Sequence, residues 1–272
     1  MEENNELNTV EEINYIEELK NILEIFMTET NEIAIQVINS DFVQGGTEII
    51  SQLGEVVFGA IKILKTTQKI ASIPTSLFMR KFEQYCKGLA MIPLDKRQKY
   101  MKLLGKEKFN KESVFVLNVI NRIEENEKIH LFLKLLSAKM EGIIDDNEYR
   151  RLMILTDRVL YSDLLYLKDS ITNDPVKLSS DEDYGLAASG LLVTAGNDWV
   201  EDMDITDNGI RFNYTSAAKR MAFIFFGVEC EMEPSNKGIV TLTGISDNEV
   251  KEGWRQIQKN WCLEDEKKIM EG

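Results

Sequence analysis

One histidine, His130, stands among 272 residues, and it narrows the catalytic chemistry open to this chain. Zinc and non-haem iron centres built on several imidazoles are excluded. A general base at His130 would need reach to a substrate proton and a group to orient its ring. The residue falls instead in "NEKIHLFLKLLSAKMEG", which is apolar on most of its circumference, beside a polar strip of Lys134, Ser137 and Glu141. A structural histidine fits that setting better. The three cysteines, Cys86, Cys230 and Cys262, are widely separated and odd in number, which argues against a disulfide framework and against a structural zinc site. No phosphate loop, dinucleotide fingerprint, nucleophile elbow or Cys-x-x-Cys motif is present. "GGTE" at 45–48 could offer a helix N-terminus to a phosphate, but it lacks the lysine of a nucleotide loop and reads as a turn. Asp145 with Asp146, and Asp157 with Asp163, read as caps and solvated faces. Catalysis by acidic groups alone stays open. The expectation is a protein that is not an enzyme and needs no cofactor or metal.

Two stretches could bind ions without catalysing anything. "SAKMEGIIDDNE", residues 137–148, has the glycine and terminal glutamate of a twelve-residue calcium loop at matching positions. Its first and third ligand positions are Ser137 and Lys139, however, where a hard cation needs carboxylate or amide oxygens. Lys139 would repel the ion, so only the helix-turn-helix outline is retained. The second stretch is "LDKRQKYMKLLGKEKFNKE", in which Lys96, Arg97, Lys99, Lys102, Lys106, Lys108 and Lys111 cluster with Tyr100 and Phe109. Such a run could contact the phosphates of a nucleic acid or nucleotide, or anionic lipid. It could equally complement acidic residues elsewhere in the chain.

The charge map supports that last alternative. The net charge is −14, but residues 1–40 hold ten acidic side chains against Lys20 alone, whereas 41–112 hold thirteen basic against seven acidic. An acidic arm thus precedes a basic segment. Thr9 and Glu12 fit a capping box, and Val10, Ile13, Ile16, Leu19, Ile22, Leu23 and Phe26 follow at helical spacing. Next, "IISQLGEVVFGAIKIL" places Ile49, Ile50, Leu53, Val56, Val57, Ala60, Ile61 and Leu64 on one side, with Ser51, Glu55, Gly59 and Lys62 towards the other. A lone spanning helix needs about 20 predominantly apolar residues and tolerates a central charge poorly. The window therefore reads as a bundle helix, as an interfacial helix, or as a pore-lining helix in which Ser51, Glu55, Gly59 and Lys62 face water and Val56 and Val57 face lipid. The acidic N-terminus lacks the pattern of a secretory signal, so the expected location is cytoplasmic, with membrane association on activation.

Residues 113–171 read as a helical array, with Gly142 as a C-cap and an Asp cap opening the following helix. After Pro175 the periodicity changes: "SSDEDYGLAASGLLV" reads as helix into strand and "GIRFNYTSAAKRMAFIFFGV" as strand into helix. "GIVTLTG" and the Trp254 region add a strand and a helix. With the phrases "LAASGLLV" and "FNYTSAAKRMAFIF", residues 145–228 resemble the winged-helix fold, whose helix before the wing commonly enters a major groove. Here that helix carries Asp181, Glu182 and Asp183 and no basic residue, so the resemblance implies a packing or dimerisation module. The expected architecture is mainly α: an N-terminal helical region (1–112), a central array (113–171) and a small α+β winged-helix-like unit (172–272). That layout is similar to helical proteins of bacterial antiphage-defence and mobile-element operons, some of which perturb membranes. The resemblance implies a homo-oligomeric interaction protein that acts through residues 47–72. A soluble regulator that binds nucleic acid or nucleotide through 96–111 is the alternative.

Overall fold

The computed structural model describes residues 16–17, 19–30, 33, 73–173, 175–195 and 210–230. They are mainly α-helical, with one small three-stranded antiparallel sheet. The chain divides into two compact units between Arg122 and Ile123. The boundary expected at 112/113 falls inside a helix, and the residues after 171 pack with the central helices in the second unit. Residues 47–72, including Ser51, Glu55, Val56, Val57, Gly59 and Lys62, lie outside the described residues, as do "GIVTLTG" and the Trp254 region.

In the first unit, α1 (residues 19–28) buries Leu19, Ile22, Leu23 and Phe26 of the expected stripe, while Thr9, Val10, Glu12 and Ile13 lie outside the described residues. Helix α2 (Ile73–Met91) buries Phe78, Phe82, Tyr85, Cys86 and Leu89, spaced so that one face is continuous core. It runs through Gly88, which is itself buried, to Met91, and Pro93 supplies the break. Helix α3 (Leu94–Leu104) follows Pro93, and a single residue, Gly105, separates it from α4 (Lys106–Arg122). Both α2 and α3 pack on α4. The core side of α4 is Phe109, Val116, Leu117 and Ile120, and Lys81 of α2 donates to the Asn121 carbonyl in its last turn (3.2 Å).

The second unit is built on α5 (Ile129–Met140), buried from Ile129 through Lys139. A helix apolar nearly all round has no solvent face to keep and becomes the centre of its unit. Gly142 closes its C-terminal turn with φ 74°. Asp145 then caps α6 (Asp146–Arg158), its Oδ1 accepting from the Glu148 amide (2.8 Å), as the sequence indicated. Next come α7 (Tyr161–Ser170), β1 (Val176–Lys177), α8 (Asp181–Ala188), β2 (Leu192–Thr194), β3 (Arg211–Tyr214) and α9 (Ser216–Phe226). The sheet order is β1-β3-β2, with Val176 opposite Phe212 and Leu192 opposite Tyr214. The paired Leu192 and Tyr214 are buried while Val193, Thr194 and Asn213 are exposed, so the Leu192–Tyr214 end of this strand pair is the part that enters the core. Helix α9 packs on α5 and α7 and ends at Gly227.

Candidate functional site

The seven basic residues of the 96–111 stretch differ in burial. Arg97 is fully enclosed: its Nε donates to the Ile92 carbonyl (2.8 Å) and Nη1 donates to the Phe26 carbonyl. Beside it, Gln98 Nε2 donates to the Thr28 carbonyl (2.8 Å). Carbonyls at the ends of α1 and α2 have no intrahelical partner, and these side chains supply one. Arg97 is thus a structural clasp, a correction to its reading as an anion contact; the guanidinium fork reaches two carbonyls where a lysine would reach one. Lys96 is half-buried.

The remaining lysines form the candidate site. Lys99, Lys102, Lys106, Lys108 and Lys111 are all exposed around the α3–α4 turn. Lys111 pairs with Glu107 (2.7 Å); among the described residues Lys99, Lys102, Lys106 and Lys108 form no ion pair. Lys102 suits the negative end of the α3 dipole, but Lys106 and Lys108 crowd the positive end of α4, where anions are favoured. An anion opposite this turn would answer both the lysines and the helix end. Between them, Leu103 is 55% exposed. Sequence reasoning passed over it, although it follows Lys96 by seven positions and Lys99 by four, so spacing already put it on the lysine face.

The turn is held from both sides. Tyr100 donates to Glu112 Oε1 at 2.6 Å, a buried bond joining α3 to α4. Gly105 adopts φ 73°, ψ 157°, a region essentially reserved for glycine. Gly105→Ala, though sterically open at Cβ, is expected to cost about 1–3 kcal/mol. Amide exchange in residues 99–111 measures it: faster exchange there marks a reset turn, and exchange equal to wild type would show that the backbone relaxes without strain.

The catalytic candidates occupy structural positions in the second unit. The buried His130 ring meets Tyr161 edge to face (centroids 5.9 Å apart, 84° between planes). Lys134 donates to the Phe225 carbonyl at the end of α9 (2.9 Å). In the calcium-loop outline, the Lys139 ammonium lies 2.6 Å from Asp146 Oδ1 and 4.5 Å from the centre of the Tyr149 ring. An internal ammonium therefore stands at the third ligand position of that outline, paired with Asp146 at its tenth, which is not a ligand position. Burial opposes ionisation of Asp146, but Lys139 and then Arg150 outweigh it and hold its carboxyl below the ordinary range. Among the described residues no group of three or more His, Cys, Asp or Glu side chains could hold a metal ion, and no helix is long and apolar enough to cross a membrane. Comparison with protein-family models, curated proteins and solved structures gives no match to this chain.

Proposed function

We propose that the chain is a non-enzymatic interaction protein of the bacterial defence type that associates with further copies of itself and acts at an anionic membrane. Residues 47–72 are its membrane-active helix, and the α3–α4 turn is its electrostatic contact. The observation that carries this reading is Leu103, exposed in the middle of a lysine cluster. At a bilayer surface lysine stems lie along apolar groups while their ammonium ends reach phosphates, and an aliphatic side chain enters the headgroup boundary. A nucleic-acid backbone makes no comparable use of leucine, and base readout draws on planar groups such as the arginine fork; the one arginine of this stretch is enclosed.

The sheet order β1-β3-β2, with α8 between β1 and β2 and α9 after β3, supports a winged-helix-like second unit. A single helix separates β1 from β2, and it presents Asp181, Glu182 and an exposed Tyr184. Duplex DNA carries one negative charge per about 1.7 Å, so this helix is better suited to protein contact.

Flotation of the full chain with vesicles tests the proposal. Binding to vesicles rich in phosphatidylglycerol and not to pure phosphatidylcholine is expected. Replacing Lys99, Lys102, Lys106 and Lys108 together by glutamine should weaken it by roughly 100-fold or more, since each lysine near such a surface contributes about 1 kcal/mol. Val57→Asp should leave the lysine-dependent docking but abolish permeabilisation. If the four-glutamine protein floats like wild type while losing salt-sensitive binding to nucleic acid, the regulator reading replaces this one.

A further inference from the structure

Two buried aspartates meet at the joint between α7 and α8, and the fold treats them in opposite ways. Asp183 opens α8 in a capping box with Ser180. Its carboxylate accepts from the Ser179 and Ser180 amides (2.9 and 3.0 Å), the Ser179 hydroxyl (3.2 Å) and the Tyr166 hydroxyl of α7 (3.0 Å). Burial opposes its ionisation, but these four donors outweigh burial and hold it below the ordinary carboxylate range. Asp183 stays charged.

Asp163, in the first turn of α7, is 6% exposed and among the described residues receives one side-chain hydrogen bond, from the neighbouring Ser162 hydroxyl at 3.2 Å. Across the joint stands Gly185 of α8, so close that a Cβ placed there would fall 2.1 Å from Asp163 Oδ2. The charged groups around it are mostly of its own sign. Glu182 of α8 and Glu125 of the segment before α5 oppose its ionisation, and Glu125 also accepts from the Tyr161 amide (3.1 and 3.0 Å). Among the described residues Lys128 favours its ionisation, and that ammonium is shared with Glu125 (2.9 Å). His130 of α5 reaches this end of α7 through the Tyr161 ring. Helix α9, also packed on α7, carries Lys219 and Arg220, and Arg220 is turned to Glu148 (3.1 Å).

We propose that the α7–α8 joint is a proton-operated latch: with Asp163 neutral, α8 seats on α7 through Gly185, and with Asp163 ionised the joint loosens. A neutral carboxyl can lie against the bare α8 backbone and still accept from Ser162. An ionised one is enclosed with the Ser162 hydroxyl as its donor among the described residues, where Asp183 has four, and the charges of Glu182 and Glu125 oppose it. Burial above all, with Glu182 and Glu125 adding to it against Ser162 and Lys128, raises the Asp163 carboxyl above its ordinary range. A carboxyl raised by folding binds its proton more tightly in the folded state. Its stabilising contribution is complete below the unfolded pKa and is lost as pH rises through the folded one. The consequence reaches β2, which α8 packs against.

Hydrogen exchange of the full chain, expressed as protection relative to intrinsic rates, tests the latch. In wild type, protection over residues 181–194 should fall severalfold as pH rises through the Asp163 titration, while the central α5 amides stay constant. Asp163→Asn, which keeps the acceptor for Ser162 and removes the charge, should make residues 181–194 well protected throughout. Glu182→Gln should move the wild-type midpoint to lower pH, and this carries the test should the first variant fold poorly. Equal pH-dependent loss in wild type and Asp163→Asn, or an unmoved midpoint in Glu182→Gln, overturns the proposal.

Discussion

Arg97→Met will destabilise the first unit by about 2–4 kcal/mol, the largest loss expected from any single lysine or arginine of the basic stretch. Methionine retains most of the stem's volume, so the loss isolates the guanidinium. Its removal takes a donor from the Ile92 carbonyl and another from the Phe26 carbonyl, both enclosed at helix ends. A buried carbonyl without a donor costs about 1–3 kcal/mol. Arg97→Lys should fall between, because a point charge can serve one carbonyl but not both in the arginine's geometry. Lys102→Met, five residues further along the same helix but exposed, should change stability by less than about 0.5 kcal/mol. Urea unfolding followed by exchange of α1 and α3 amides makes the comparison within the unit concerned. Equal effects for the arginine and the exposed lysine would show that the clasp adds nothing that water could not supply.

Why Arg97 was misread from sequence is physically plain. "DKRQK" has the local pattern of a solvated turn of helix, and charged side chains are rarely enclosed unless paired. The Phe26 carbonyl that enclosure depends on lies 71 residues earlier, a separation no window covers. Features governed by neighbours fared differently. The α1 stripe, the buried α5, the Gly142 turn and the Asp145 cap were all legible, since periodicity and capping are settled within a few residues. Strand β1 has two residues, too short for alternation to register. The lysine cluster was legible as composition, but its division into one clasp and several exposed side chains was not. For Asp163 the sequence displayed a carboxylate, and what matters is the near-absence of donors around it, a property of how α7 and α8 meet.

That meeting makes a second large effect, and its sign runs against intuition. Glycine inside a helix is ordinarily a liability, and replacing it with alanine gains up to about 1 kcal/mol. Gly185 lies inside α8, so propensity alone predicts that Gly185→Ala stabilises. The contact predicts the reverse. An alanine Cβ would lie 2.1 Å from Asp163 Oδ2 and 3.0 Å from its Cγ, and Asp163 is enclosed, 6% exposed. Overpacking of this kind costs about 1–3 kcal/mol, enough to cancel the propensity gain and reverse it. In an Asp163→Ala background the obstructing carboxylate is gone, and the same substitution should become stabilising. The two changes should therefore couple by about 1–3 kcal/mol in a double-mutant cycle, read by urea unfolding and by exchange of the α8 amides. A stabilising Gly185→Ala in the wild-type background would mean that the carboxylate swings aside freely. The joint would then not be closed around Asp163, and a proton there would have nothing to latch.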